Sequence, residues 1–191
     1  MQLIGSLASP YVRRTRLLLV DVDYEFRDLA IYDADKAELA RHNPTLKIPT
    51  LVDGGTTLFD SRIIQRYLAE RFGHSPLSWA EENQLTVIDG ANDAFVALFL
   101  AERSGLDSSQ DAMIYNRHRE RIRACLDWLE TAADGGAFDA WHYPTICLYC
   151  LVDWVAFREL HDLSGQPALA AVRERHRGQP GVAATDPRQA V

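Results

Sequence analysis

The chain has 191 residues, 47% of them hydrophobic, which is enough to bury a real core in one large domain or two small ones and argues against disorder. Twenty Lys and Arg face 27 Asp and Glu, a net charge of −7, and no basic run is long enough to track a phosphate backbone, which argues against a nucleic-acid partner. No segment approaches the roughly 18 uninterrupted apolar residues of a membrane span, the N-terminus lacks the order of a signal peptide, and the odd number of cysteines does not form a secreted disulfide framework, so a cytoplasmic protein that binds no membrane is expected.

The first third alternates strand and helix signals. "MQLIGS" has the pattern of a short strand, and "SPYVRRTRLLLVDVD" is helical, with Val12, Thr15, Leu18 and Leu19 on one face. "YEFRDLAI" alternates with period two, and "DADKAELARHNP" predicts a short helix ended by the Asn43-Pro44 turn. "TLVDGGTTLFD" predicts two strands joined at Asp53-Gly54-Gly55, and "DSRIIQRYLAERFG" a helix with Ile63, Ile64, Tyr67, Leu68 and Phe72 at helical spacing and Gly73 placed to end it. The predicted order is βαβαββα over residues 1–75.

Beyond "GHSPLSWAEEN", which contains Pro76 and predicts a linker, the strand signals vanish. Helices are predicted over Gln84–Ser104, Met113–Ala133, Thr145–Leu163 and Pro167–Arg177, followed by coil, so that residues 84–191 form an all-helical second domain. In the second of these helices Ile114, His118, Ile122, Cys125, Leu126 and Leu129 share a face. Cys147 and Cys150 have the spacing of a redox pair but fall late in the chain inside the apolar "TICLYCLVDWVAF", which predicts core packing; His and Cys are too sparse there for zinc, and no metal site is expected.

"SLASPYVRRTR", "NPTLKIPTLVDGGTTLFDSRIIQRYL" and the weaker "PALAAVRERHRGQPG", in this order around a βαβ–ββα unit and a helical domain, resemble the glutathione S-transferase superfamily, in particular its bacterial, serine-type members. The resemblance covers the whole chain. It implies a thioredoxin-like N-terminal domain, a C-terminal helical bundle, glutathione as co-substrate, a hydrophobic electrophile as second substrate, and a homodimer.

The same residues have local physical readings. An X-Pro bond adopts cis at about 0.5–1 kcal/mol, against roughly 2.5–4 for other residues. A cis Ile48-Pro49 bond would turn the Ile48 N–H and C=O toward a peptide ligand, as an added strand pairs; alternatively, Pro49 merely starts an edge strand. Asp60 and Ser61 are good helix caps, and they also stand at a helix N-terminus, where free N–H groups favour an anion. The resemblance assigns Asp60 and Ser61 to the ammonium and carboxylate of the γ-glutamyl group, and Lys47 to the glycine carboxylate.

Ser9 before Pro10 is an ordinary helix start. The resemblance makes its hydroxyl the donor that holds the glutathione sulfur as thiolate, with Ser6 as competitor. No cysteine stands at or beside Ser9, which argues against disulfide exchange with glutathione. Ala8, Tyr11, Asn92, Phe95, Val96 and Phe99 are candidates for the electrophile pocket, expected between the domains, or for plain core positions.

One departure from the family pattern concerns the helix at Thr145, where Ile146, Cys147 and Leu148 follow and the Ser/Thr-x-x-Asp cap is incomplete. The expected function is glutathione transfer to an electrophilic carbon. The rival readings are a non-catalytic protein that keeps the fold, or a glutathione-dependent isomerase or dehalogenase.

Overall fold

The computed structural model describes residues 1–190 and divides into two compact units, one formed by residues 1–76 with 178–190 and the other by residues 77–177. The first unit is a four-stranded sheet with three helices: β1 (Gln2–Gly5), α1 (Pro10–Leu18), β2 (Glu25–Asp28), α2 (Lys36–His42), β3 (Thr50–Asp53), β4 (Thr56–Phe59) and α3 (Ser61–Phe72). Strand order is β2-β1-β3-β4; β1 runs parallel to β2 and antiparallel to β3, and β4 runs antiparallel to β3.

Alternation along β1 sends Leu3 and Ile4 to opposite faces, each covered by its own helices. Leu3 packs with Val12, Leu19, Leu51, Ile64 and Leu68 under α1 and α3, while Ile4 packs with Leu29 and Leu39 under α2. At the end of β1 the turn into α1 is tight. A Cβ added at Gly5 would lie 2.4 Å from Cγ2 of Val12, so only glycine lets strand and helix approach this closely. The face predicted for α1 is buried at Val12, Thr15 and Leu19; on α3, Ile64 and Leu68 are buried, while Ile63 and Phe72 are exposed at 46% and 43% and lie outside the stripe.

The second unit is all-helical, with α4 (Trp79–Arg103), α5 (Met113–Asp134), α6 (Tyr143–Phe157) and α7 (Pro167–His176). Two boundaries differ from those read in the sequence. α4 begins at Trp79 rather than Gln84, because Ser78 and Glu81 form a reciprocal cap: the Ser78 hydroxyl accepts from the Glu81 N–H, and the Glu81 carboxylate accepts from the Ser78 N–H at 2.7 Å. The supposed linker is therefore partly helix.

α6 runs from Tyr143 to Phe157 instead of Thr145 to Leu163. His142 supplies the cap that the Thr145 box lacks, its Nδ1 accepting from the Thr145 N–H, and at the other end Glu159 turns the chain at φ 54°. Every residue from Tyr143 to Val155 is buried, with Cys147 and Cys150 among them.

By length and composition α4 could cross a bilayer, but it packs within its unit against both α5 and α6, which accounts for its apolar content. On α5 the buried residues are Ile122, Leu126, Leu129 and Ala133; Ile114, expected on that face, is exposed. The tail, expected as coil of the second domain, instead forms short helical turns at Ala183–Thr185 and from Pro187, and groups with the first unit.

Candidate functional site

The register of the sheet gathers the predicted residues of the first unit at one end. Ile4 of β1 pairs with Thr50 of β3, and Thr50 pairs with Phe59 of β4. The end of β1, the start of β3 and the end of β4 are thus neighbours. It follows that the loop from Ser6 to Ser9, the Ile48-Pro49 segment and the Asp60-Ser61 pair leave the sheet at the same end. Helices α1 and α3 both start there, so two helix N-termini, each with free N–H groups and partial positive charge, belong to that end of the sheet.

Ser9 is the N-cap of α1, with φ −86° and ψ 127°, and its Oγ accepts from the Val12 N–H at 3.3 Å. A serine hydroxyl has two acceptor lone pairs and one hydrogen, so this cap leaves the hydrogen able to donate elsewhere. The loop before it is fixed at two points: the Ser9 N–H donates to the Ser6 carbonyl at 3.0 Å, and the Leu7 N–H donates to Asp28 Oδ1 at 3.0 Å. Ala8 and Tyr11 are half-buried, and the Arg14 guanidinium lies 4.8 Å from the centroid of the Tyr11 ring.

The Ile48-Pro49 bond is cis. Among the described residues, the Ile48 N–H and C=O have no backbone hydrogen-bond partner. Lys47 beside it is exposed, while Pro49 and Thr50 are buried.

The segment is held by Asn43, which the sequence marked only as a turn residue. Asn43 is 1% exposed; its Nδ2 donates to the Lys47 carbonyl at 2.7 Å and to Thr50 Oγ1 at 3.1 Å, and its Oδ1 accepts from the Thr45 N–H and hydroxyl. A single buried carboxamide thereby sets the path of residues 43–50. Asp28 and Asn43 are the two positioning residues that the sequence reading missed. Both are polar residues at strand or helix ends, and beyond that placement the only signal is the Asn43-Pro44 turn pair.

Asp60 caps α3, its Oδ1 accepting from the Arg62 N–H at 2.8 Å, yet it does so at φ 75° and ψ 136°. A cap ordinarily has an extended backbone with negative φ. For a non-glycine residue the observed values cost about 1–3 kcal/mol. Asp60 is exposed, and Ser61, the first residue of α3, is 2% exposed.

The four candidates on α4 lie in the helical unit. Asn92 is fully buried, and neither its Nδ2 nor its Oδ1 has a hydrogen-bond partner among the described residues. Phe95 is 4% exposed with its ring 6.1 Å from that of His161, and Val96 is half-buried. Phe99 meets Trp154 edge-on at 5.8 Å. Phe95 and Phe99 also line a cavity of about 610 Å³ within that unit, together with Leu98, Ile122, Leu126 and Leu160.

Comparison with known proteins agrees with this architecture. Residues 3–76 match the model of the glutathione S-transferase N-terminal domain. An uncharacterized GST-like protein, YibF of Escherichia coli K12, is 32% identical over 173 residues, 84% of each chain, and a stringent starvation protein A homolog of Pasteurella multocida is 41% identical over 133 residues, 65% of this chain and 60% of that one. A glutathione transferase family member from Pseudomonas fluorescens Pf-5, solved with bound glutathione, superposes with a TM-score of 0.79 at 27% identity over 97% of this chain and 98% of that one. With the likeness to YibF running through the sheet and the helices alike, the chain belongs to the glutathione S-transferase family.

Proposed function

We propose that the chain is a glutathione transferase, which binds glutathione at the end of the sheet where α1 and α3 begin and uses its thiolate to attack an electrophilic carbon. The observation that carries this reading is the backbone of Asp60. A residue needed only as a cap gains nothing from a positive φ, whereas one that must aim a carboxylate at a ligand tolerates it. Oδ1 is engaged in capping, and the remaining lone pairs of the carboxylate are available to an ammonium.

In this reading the γ-glutamyl carboxylate sits on the N-terminus of α3 at Ser61, and its ammonium faces Asp60. The peptide backbone pairs with Ile48 beside Pro49, and Lys47 lies near the glycine carboxylate. Ser9 donates its free hydrogen to the sulfur.

A free thiol titrates at about 8.5, and each unit of lowering corresponds to about 1.4 kcal/mol, so one hydroxyl donor plus the α1 dipole suffices for one or two units. The thiolate then forms the new carbon–sulfur bond while the bonding pair of the leaving group departs with it, or, in an addition, the π pair moves onto the neighbouring atom, which takes up a proton from solvent. The bound glutathione of the Pseudomonas fluorescens relative supports the ligand. Ala8 and Tyr11 in the first unit and Asn92, Phe95, Val96 and Phe99 in the second are the candidates for contact with the electrophile, and the homodimer and the cytoplasmic location belong to the same proposal.

Calorimetric titration with glutathione is the test, and no detectable binding at millimolar ligand would sink the reading. Ser9→Ala should leave glutathione affinity nearly unchanged and raise the pKa of the bound thiol, followed by thiolate absorbance. A second reading, a protein that keeps the fold without useful turnover, is favoured by the helix-capping roles that Ser9 and Asp60 already fill. An absence of binding would favour it.

A further inference from the structure

The cavity of the helical unit has apolar walls and carries unpaired charges of both signs at its border. Phe95 and Leu98 of α4, Ile122 and Leu126 of α5, and Leu160 beyond α6 face a space of about 610 Å³, inside the range of about 300–1,000 Å³ common to small-molecule sites. Every lining residue belongs to this unit. The segments around the space are fixed by side chains. Glu102 accepts from the Ser108 N–H at 2.8 Å, and Arg119 donates to the carbonyls of Ser108 and Gln110, which holds the loop between α4 and α5. Glu130 of α5 accepts from the Ala168 and Leu169 N–H groups at 2.8 and 3.0 Å, which holds the start of α7 beside Gln166 of the wall.

Arg123, Asp127 and Glu159 also line this cavity, and all three are exposed. Among the described residues none of the three makes a side-chain hydrogen bond or an ion pair. Arg123 and Asp127 stand one turn apart on α5, where Cβ atoms are about 5–6 Å from one another, and yet they do not pair. Glu159 comes to the same wall from the other side, just beyond α6. An apolar hollow bordered by one cation and two carboxylates matches a molecule that has both an anion and a cation at one end and a large apolar group at the other.

We propose that this cavity binds a free α-amino acid with a large apolar side chain. The Arg123 guanidinium receives the α-carboxylate, whose two oxygens match its N–H fork. Asp127 and Glu159 receive the α-ammonium, and the side chain enters the space between Phe95, Ile122, Leu126 and Leu160. The site uses none of the residues assigned to glutathione and stands without that reading. Of the candidates for contact with the electrophile it shares only Phe95 and Phe99.

Titration calorimetry of the whole chain tests it with L-phenylalanine against three probes: phenethylamine, which lacks the carboxylate, 3-phenylpropionate, which lacks the ammonium, and glycine, which lacks the ring. L-phenylalanine should bind at least about fivefold more tightly than each. Arg123→Gln should abolish the preference over phenethylamine, and Asp127→Asn combined with Glu159→Gln should abolish that over 3-phenylpropionate. These are exposed positions, and urea midpoints equal to the parent's show that the variants are folded. The γ-glutamyl end of glutathione is itself an α-amino acid, so Asp60→Ala separates the two sites: it should leave the affinity for L-phenylalanine within about twofold. Equal affinity for L-phenylalanine and any of the three probes, a preference that survives its substitution, loss of binding in Asp60→Ala, or no binding of L-phenylalanine at millimolar concentration would each overturn the proposal.

Discussion

A capping residue normally keeps an extended backbone, and Asp60 does not. Two substitutions separate what the cap needs from what a ligand needs. Asp60→Ala keeps a Cβ at positive φ and removes the side-chain acceptor, so it should lose about 1 kcal/mol of stability in urea unfolding. Asp60→Gly also removes the acceptor but relieves the strain, and glycine is a fair N-cap, so it should be at least as stable as the parent within about 0.5 kcal/mol. Glutathione affinity should fall at least about tenfold in both, because neither can meet the ligand ammonium. If Asp60→Gly bound glutathione as tightly as the parent, Asp60 would be a cap alone.

At the same scale Asn43 shows what a buried polar residue contributes to a loop. Asn43→Ala removes two donors and an acceptor that together fix residues 43–50, and it should destabilise the chain by about 2 kcal/mol. Glutathione affinity should weaken with it, by loosening of the Ile48 backbone; unchanged affinity in calorimetry would show that the loop is held by other contacts.

Among the elements, the strands and helices of the first unit were legible because each signal is local. Period two in "YEFRDLAI", the Asp53-Gly54-Gly55 turn and Gly73 after α3 need no knowledge of distant residues. The boundaries of α4 and α6 were not legible in the same way. Ser78 and Glu81 do form a recognisable capping box, but Pro76 and the polar cluster around it carry the opposite message, and only the folded cap decides between them. The end of α6 has no glycine or proline; Glu159 turns the chain in a conformation that its side chain does not announce. At the site, residue types suggested the ligand groups, whereas the strain of Asp60 and the grip of Asn43 on Lys47 and Thr50 arise from the tertiary arrangement.

The α4 cap makes a pH-dependent prediction. Hydrogen bonds from Ser78 hold the Glu81 carboxyl below its usual range. A folded pKa below the unfolded one means that the stabilisation is complete above about pH 4.3 and is lost as pH falls through the folded value. Ser78→Ala should therefore cost about 1 kcal/mol at neutral pH. The gap between parent and variant should narrow on acidification below the unfolded carboxylate pKa, as read from urea midpoints across pH. A gap independent of pH would assign the loss to the hydroxyl cap alone, with no part for the carboxylate.

For the whole molecule, the feature least visible in the sequence is the return of the chain to its first unit after α7. Residues 178–190 have no hydrophobic period, and the contacts that order them, polar and apolar, come from residues 13–20, far away in sequence. Arg13 is 3% exposed on α1; its Nε donates to Thr185 Oγ1 at 3.3 Å and its guanidinium to the Val182 carbonyl at 3.2 Å, while Arg16 donates to the Ala184 carbonyl at 3.2 Å. Gly181, at φ 79°, passes so close to the segment after α1 that an added Cβ would lie 2.8 Å from Cγ2 of Val20. A tail that merely frayed would be dispensable. This one supplies acceptors to a buried cation, so deleting it from Gly178 onward should destabilise the chain by about 1.5–3 kcal/mol, the range for a hydrogen bond to a charged group. The loss should appear as a lower urea midpoint and faster hydrogen exchange along α1. Arg13→Met in the shortened chain should recover part of the loss, because an apolar side chain of similar length leaves no guanidinium in need of acceptors. If the shortened chain unfolds at the parent's midpoint, the tail is a bystander and Arg13 is satisfied by its other neighbours; if Arg13→Met recovers nothing, the tail acts through packing at Gly181 rather than through the cation.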